Sequence, residues 1–200
     1  MSKNYEEILP EGYNEIFHID AKDKKTGLIL TLFSLILTLI PLAILLPIYF
    51  CTKKFEFEFS YRTSLYLLGL AVAMILYMVL HELVHGIAYK ALTKQKLTFG
   101  ISWSCAYCGV PNIYVYRKAS MIALIAPFAV FSLLFGGLVN WFYFLDGTLF
   151  LLMSLLFSIH VGGCIGDLYM FTLFLFKYKD KTLLMKDTGP EQFLYQKIEN

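Results

Sequence analysis

Residues 64–89 read SLYLLGLAVAMILYMVLHELVHGIAY. This stretch contains no Lys or Arg, and its single acid is Glu82. A bilayer core is about 30 Å thick and takes about 20 apolar residues as a helix. The stretch is long enough to cross it. Three others share its character, at about 26–50, 119–145 and 148–176. The first and third of the four carry no Lys, Arg, Asp, Glu or His. Pro41, Pro47 and Pro127 lie inside spans, where neighbouring helices can satisfy the freed backbone groups.

The whole 200-residue chain agrees with this reading. It is 58% hydrophobic and 16% charged, against about 45–50% and about 25% in soluble domains. Such a composition excludes disorder. A net charge of +2 gives a nucleic-acid partner no electrostatic support. The predicted fold is an all-α integral membrane protein of about four transmembrane helices, forming one domain over residues 1–200. The first span exceeds a signal-peptide core and no small-residue cleavage site follows it, so it is expected to stay in the mature protein.

With four spans, both termini and the middle loop share one side. That side holds 14 of the 17 Lys and Arg, and the other holds Lys53, Lys54 and Arg62. Positive loops stay in the cytoplasm. The expected placement is a multi-pass protein of the cell membrane with cytoplasmic termini and membrane lipid around it. In the middle loop, Leu97–Trp103 and Val110–Tyr116 read as two β-like runs parted by residues 104–109, a candidate cytoplasmic hairpin. Pro111 suits only an edge or a strand start.

Ionisable groups inside a bilayer are costly, and those that occur are usually functional. The four spans hold His81, Glu82, His85, His160 and Asp167. His81-Glu82-Leu83-Val84-His85 is H-E-x-x-H. Residues four apart on a helix point the same way, so both imidazoles can reach one Zn²⁺, with Glu82 beside them as a base for water.

A catalytic zinc usually takes a third protein ligand. Asp167, in Gly162-Gly163-Cys164-Ile165-Gly166-Asp167, is the candidate. It lies ten residues before Lys177, while His81 and His85 lie nine and five before Lys90. The two spans run the same way, so all three sit at similar depth. The glycines would let the fourth helix approach the second closely.

Two features stay open. His160 reads equally as a partner of the site or as a core histidine bonded to backbone. Cys105-Ala106-Tyr107-Cys108 is a single C-x-x-C, more simply a hairpin tip than a zinc site. Cys51 and Cys164 read as apolar filler.

H-E-L-V-H in a membrane helix with G-G-C-I-G-D two spans later resembles the bacterial membrane family named Putative zincin peptidase. Leu9-Pro10-Glu11-Gly12-Tyr13, Ile19-Asp20 and Asp187-Thr188-Gly189 are similar to it too. More distantly the chain looks like site-2 proteases, with a departure at Leu168 after Asp167. The resemblance implies zinc on His81, His85 and Asp167, Glu82 as base, and an intramembrane peptidase. Its substrate would be a membrane protein or peptide. Two rivals remain at this point. One is a metal-binding scaffold or transporter that does not cleave. The other is a haem protein using His85 and His160.

Overall fold

The computed structural model describes residues 3–52, 60–101 and 106–197. It is mostly helical. The helices are α1 (Lys24–Thr52), α2 (Tyr61–Thr93), α3 (Arg117–Leu145), α4 (Gly147–Gly163) and α5 (Ile165–Phe176). The first three are each long and apolar enough to cross a membrane, and α4 with α5 makes a fourth if taken as one span. The predicted fourth span is thus broken at Cys164. Three glycines surround the break, and glycine weakens a helix interior by about 1 kcal/mol relative to alanine.

The expectation of an all-α chain is corrected by seven strands. They are β1 (Tyr5–Glu6), β2 (Tyr13–Asp20), β3 (Thr98–Ile101), β4 (Ala106–Gly109), β5 (Tyr114–Tyr116), β6 (Leu184–Asp187) and β7 (Glu191–Lys197). Five form an antiparallel sheet in the order β1-β5-β6-β7-β2. The segment after Phe176 is therefore built into the sheet as far as Lys197.

A middle-loop hairpin exists, but its pairing differs from the expected one. β3 pairs with β4, joining Thr98 to Gly109 and Ile101 to Ala106. The run from Val110 to Tyr116 does not continue it. Pro111 lacks an N–H, and Ile113 N–H turns back to the Val110 carbonyl at 3.3 Å. β5 then leaves the hairpin and lies between β1 and β6.

The chain forms two compact units. One comprises residues 1–29, 80–127 and 166–200, and the other residues 30–79 and 128–165. In the first unit one sheet face is buried. Val115, Met185 and Leu194, all fully buried, pack with Tyr89 of α2, Ala123 and Leu124 of α3, and Met170 and Phe174 of α5. Arg117 fastens two of these helices. Its Nε donates to the Phe174 and Tyr178 carbonyls at 3.2 and 2.9 Å, and its Nη2 to Phe174 at 2.6 Å. The Phe174 carbonyl lies in the last turn of α5, where no intrahelical donor remains, and Tyr178 lies two residues beyond the helix.

The second unit is helical. Tyr49 stacks on Phe150 at 5.9 Å within a cluster that includes Val139. Asp146 caps α4, accepting from Leu149 N–H at 3.0 Å, and its other oxygen meets Arg62 at 2.8 Å. Gly162 faces α1 and not α2 as expected. A Cβ there would collide with the Thr38 hydroxyl and sit 2.6 Å from the Ser34 carbonyl. A Cβ on Gly163 would have the Tyr77 hydroxyl of α2 as its nearest neighbour, at 4.0 Å. Along α1 the apolar side chains Leu32, Phe33, Leu35, Ile36 and Leu39 are each more than half exposed.

Candidate metal centre

His81 and His85 sit one turn apart on α2, both buried. Their rings lie 5.0 Å apart. Asp167, in the first turn of α5, points one carboxylate oxygen at both. Its Oδ2 lies 3.2 Å from His81 Nε2 and 3.2 Å from His85 Nε2. The three atoms fall within 4.8 Å of one another, close enough to share one cation. All three residues belong to the first unit.

The outer atoms of His85 define its chemistry further. Its Nδ1 is 2.9 Å from the Ala123 carbonyl of α3. A carbonyl only accepts, so Nδ1 carries the hydrogen. In the neutral ring Nε2 is then a bare lone pair facing a carboxylate oxygen. A cation between them turns that repulsion into attraction. A backbone acceptor behind a histidine is the usual support of a metal ligand. The donor set, two imidazole nitrogens and one carboxylate oxygen, fits zinc with a position left open.

Glu82 follows His81 on the same helix and is half-buried. Among the described residues its carboxylate takes no hydrogen bond. The β3–β4 hairpin approaches this part of α2 closely. A Cβ on Gly86, next to His85, would lie 2.7 Å from the Phe99 ring and 3.2 Å from Leu97. Only glycine lets the hairpin come so near.

A further layer, to which the sequence assigned no role, surrounds Asp187. Tyr89 follows His85 by one more turn and is 1% exposed. Its hydroxyl donates to Asp187 Oδ2 at 2.6 Å, while Gly189 N–H donates to Oδ1 at 2.8 Å. Asp187 is 3% exposed, and burial pushes its carboxyl up to about 6 despite these two donors. Its carbonyl accepts from Val110 N–H at 2.8 Å. The spacing His81, His85, Tyr89 marks one helix face and was the available signal. Cys108 is buried nearby, and burial pushes its thiol up to about 12, with the charges of Asp187 and Glu82 adding to the rise.

His160 lies in the second unit, fully buried. Tyr77 OH is 2.8 Å from its Nδ1 and Ser132 Oγ is 3.1 Å from its Nε2. Phe128, Phe131 and Phe135 surround it. Cys51, Cys108 and Cys164 are free thiols, and Cys105 of the C-x-x-C pair lies outside the described residues.

Two imidazoles one turn apart on an apolar helix, a carboxylate beside them and another from a second helix define a zincin-like arrangement. The chain belongs to the family described as Putative zincin peptidase, whose model matches residues 74–182. That range contains His81, Glu82, His85 and Asp167 and stops short of Asp187. No curated protein and no solved structure matches the chain.

Proposed function

We propose that this protein is an intramembrane zinc metallopeptidase, with His81, His85 and Asp167 holding the metal and Glu82 as the catalytic base. The observation that carries the reading is the convergence of two Nε2 atoms on Asp167 Oδ2, with the His85 hydrogen held on the far nitrogen. Zinc in such a site supplies Lewis acidity, polarising a carbonyl and acidifying water.

Glu82 takes a proton from the attacking water at its carboxylate and passes it to the nitrogen of the departing amine. His85 donates its Nδ1 hydrogen to the Ala123 carbonyl, which leaves Nε2 as the atom turned to the site. Asp167, its side chain 18% exposed, and the half-buried Glu82 line the path by which water arrives. The exposed apolar flank of α1 and the length of α1, α2 and α3 support a bilayer setting. The lysine and arginine asymmetry supports cytoplasmic termini.

The substrate in this reading is a membrane protein or peptide. Its scissile segment must leave the helical state to expose a peptide bond. Among the described residues β3 pairs only with β4, so its outer edge can take an unwound segment as an added strand. The haem alternative loses its second ligand, since both ring nitrogens of His160 are engaged.

Metal analysis and proteolysis test the assignment. Purified protein should carry about one zinc per chain, and His85→Ala should lose it. Glu82→Gln should keep the metal and stop cleavage in a membrane-proteome comparison. Undiminished proteolysis by Glu82→Gln would refute the role of Glu82. Substrate levels unchanged between active and deleted cells would favour a metal protein that does not cleave.

A further inference from the structure

A cavity of about 510 Å³ opens in the first unit where α3 begins. Ligand pockets usually measure about 300–1,000 Å³. Four cationic residues line it, Lys3, Arg117, Lys118 and Lys181, and among the described residues no carboxylate does. They come from the first strand's approach, the start of α3 and the segment after α5. Lys3 is paired with Glu6, which leaves Arg117, Lys118 and Lys181 as the main charge. Among the described residues Arg117 donates to carbonyls, and Asp180 is near enough to feel its charge. Lys118 and Lys181 are exposed. The positive end of α3 adds to the same field.

The rest of the lining is apolar and lies further along the helices. Met121, Ile122 and Ile125 follow on α3, and Phe171 precedes the end of α5. At 1.5 Å per residue these side chains sit about 6–12 Å beyond the helix ends. The cavity is therefore charged at one level and oily below it. An inorganic anion would use only the first level. A glycerophospholipid uses both, with phosphate among the cations and an acyl chain along Ile122 and Ile125.

We infer that this cavity is a binding site for an anionic phospholipid, one whose headgroup phosphate is held by Arg117, Lys118 and Lys181. Basic pockets at helix ends beside a membrane are suited to such headgroups. The inference rests on the membrane placement proposed above and not on peptidase chemistry. None of the cavity's residues is a candidate metal ligand or base.

The test uses full-length protein in a neutral detergent. Short-chain phosphatidylglycerol, phosphatidylcholine and inorganic phosphate are titrated separately, read by native mass spectrometry and by melting temperature. Phosphatidylglycerol should bind and raise the melting temperature at concentrations where the other two do neither. Lys118→Gln with Lys181→Gln should weaken it about 30-fold, from about 1 kcal/mol for each basic residue beside an anionic membrane surface. Lys22→Gln with Lys24→Gln, which removes the same charge elsewhere in the unit, should leave it unchanged. Equal loss from both pairs would show a diffuse charge effect and overturn the site. Inorganic phosphate matching the lipid would overturn it in favour of a simple anion site. A metal-site variant such as His85→Ala should still bind the lipid, which separates this inference from the peptidase reading.

Discussion

Tyr89→Phe removes a single oxygen from the interior of the first unit. That hydroxyl donates to Asp187 Oδ2 over 2.6 Å, between residues only 1% and 3% exposed. Gly189 N–H continues to hold Oδ1. A hydrogen bond to a charged group contributes about 1.5–3 kcal/mol. The pH dependence follows from the direction in which Asp187 is shifted. Its carboxyl rises from an ordinary 3.8 to about 6, because burial outweighs the two donors. The folded state therefore binds the proton more tightly than the unfolded state.

Stability from this group is full below about pH 3.8 and falls as pH rises through about 6. The gap is equivalent to about 3 kcal/mol of cost for the buried carboxylate at neutral pH. Without Tyr89 the carboxyl moves higher still, so the penalty of the variant is largest where Asp187 is ionised. At pH 8 a loss of about 2 kcal/mol lowers the melting temperature by about 4–8 °C. At pH 5, where the carboxyl is largely neutral, the drop should be less than half as large. Thermal unfolding in detergent micelles, followed by near-ultraviolet circular dichroism at both pH values, measures this. An equal penalty at pH 5 and pH 8, or one below about 0.5 kcal/mol at pH 8, would refute the buried ion–dipole account.

Four further substitutions probe other contacts. Gly109→Ala places a Cβ 2.5 Å from Gly189 N and 2.7 Å from the Thr188 carbonyl carbon, both backbone, so it should cost about 1–3 kcal/mol by overpacking in the same melts. Gly162→Ala drives a methyl into Thr38 and the Ser34 carbonyl of α1 and should cost a similar amount, while Gly166→Ala, with open space around it, should be silent there. Asp146→Ala removes the cap of α4 and should cost about 0.5–2 kcal/mol by denaturant titration, with little contributed by the exposed Arg62.

The helices were legible because a long apolar run has few alternatives, and α1, α2 and α3 start and stop within four residues of the expected bounds. His81 and His85 were legible because spacing alone fixes their face. Asp167 was reached from depth along a helix, and the structure brings its Oδ2 to both imidazoles. The sheet was not legible. β2 lacks a clean alternation, because a bulge between Glu15 and Phe17 shifts its register and leaves Ile16 outward. Its partner β7 lies more than 170 residues away, and β1 is only two residues long. Hairpin rules read neighbours in sequence, so they paired Val110–Tyr116 with Leu97–Trp103 when both found other partners. The bond between Tyr89 and Asp187 was not legible: Asp187 stood only in the family likeness of Asp187-Thr188-Gly189, Tyr89 is ordinary alone, and the two meet across 98 residues.

The strand order carries a consequence for biosynthesis. β7 lies between β6 and β2, and β6 also holds the second edge of β5. A ribosome exposes β2 and β5 long before either partner exists. The apolar helices can form one after another, yet the sheet must wait with open strand edges until residues 184–197 emerge. His81 and His85 are thus made early, and Tyr89 waits for Asp187, 98 residues later. A nascent chain would hold its two imidazoles without the Tyr89–Asp187 contact beside them until the sheet closes.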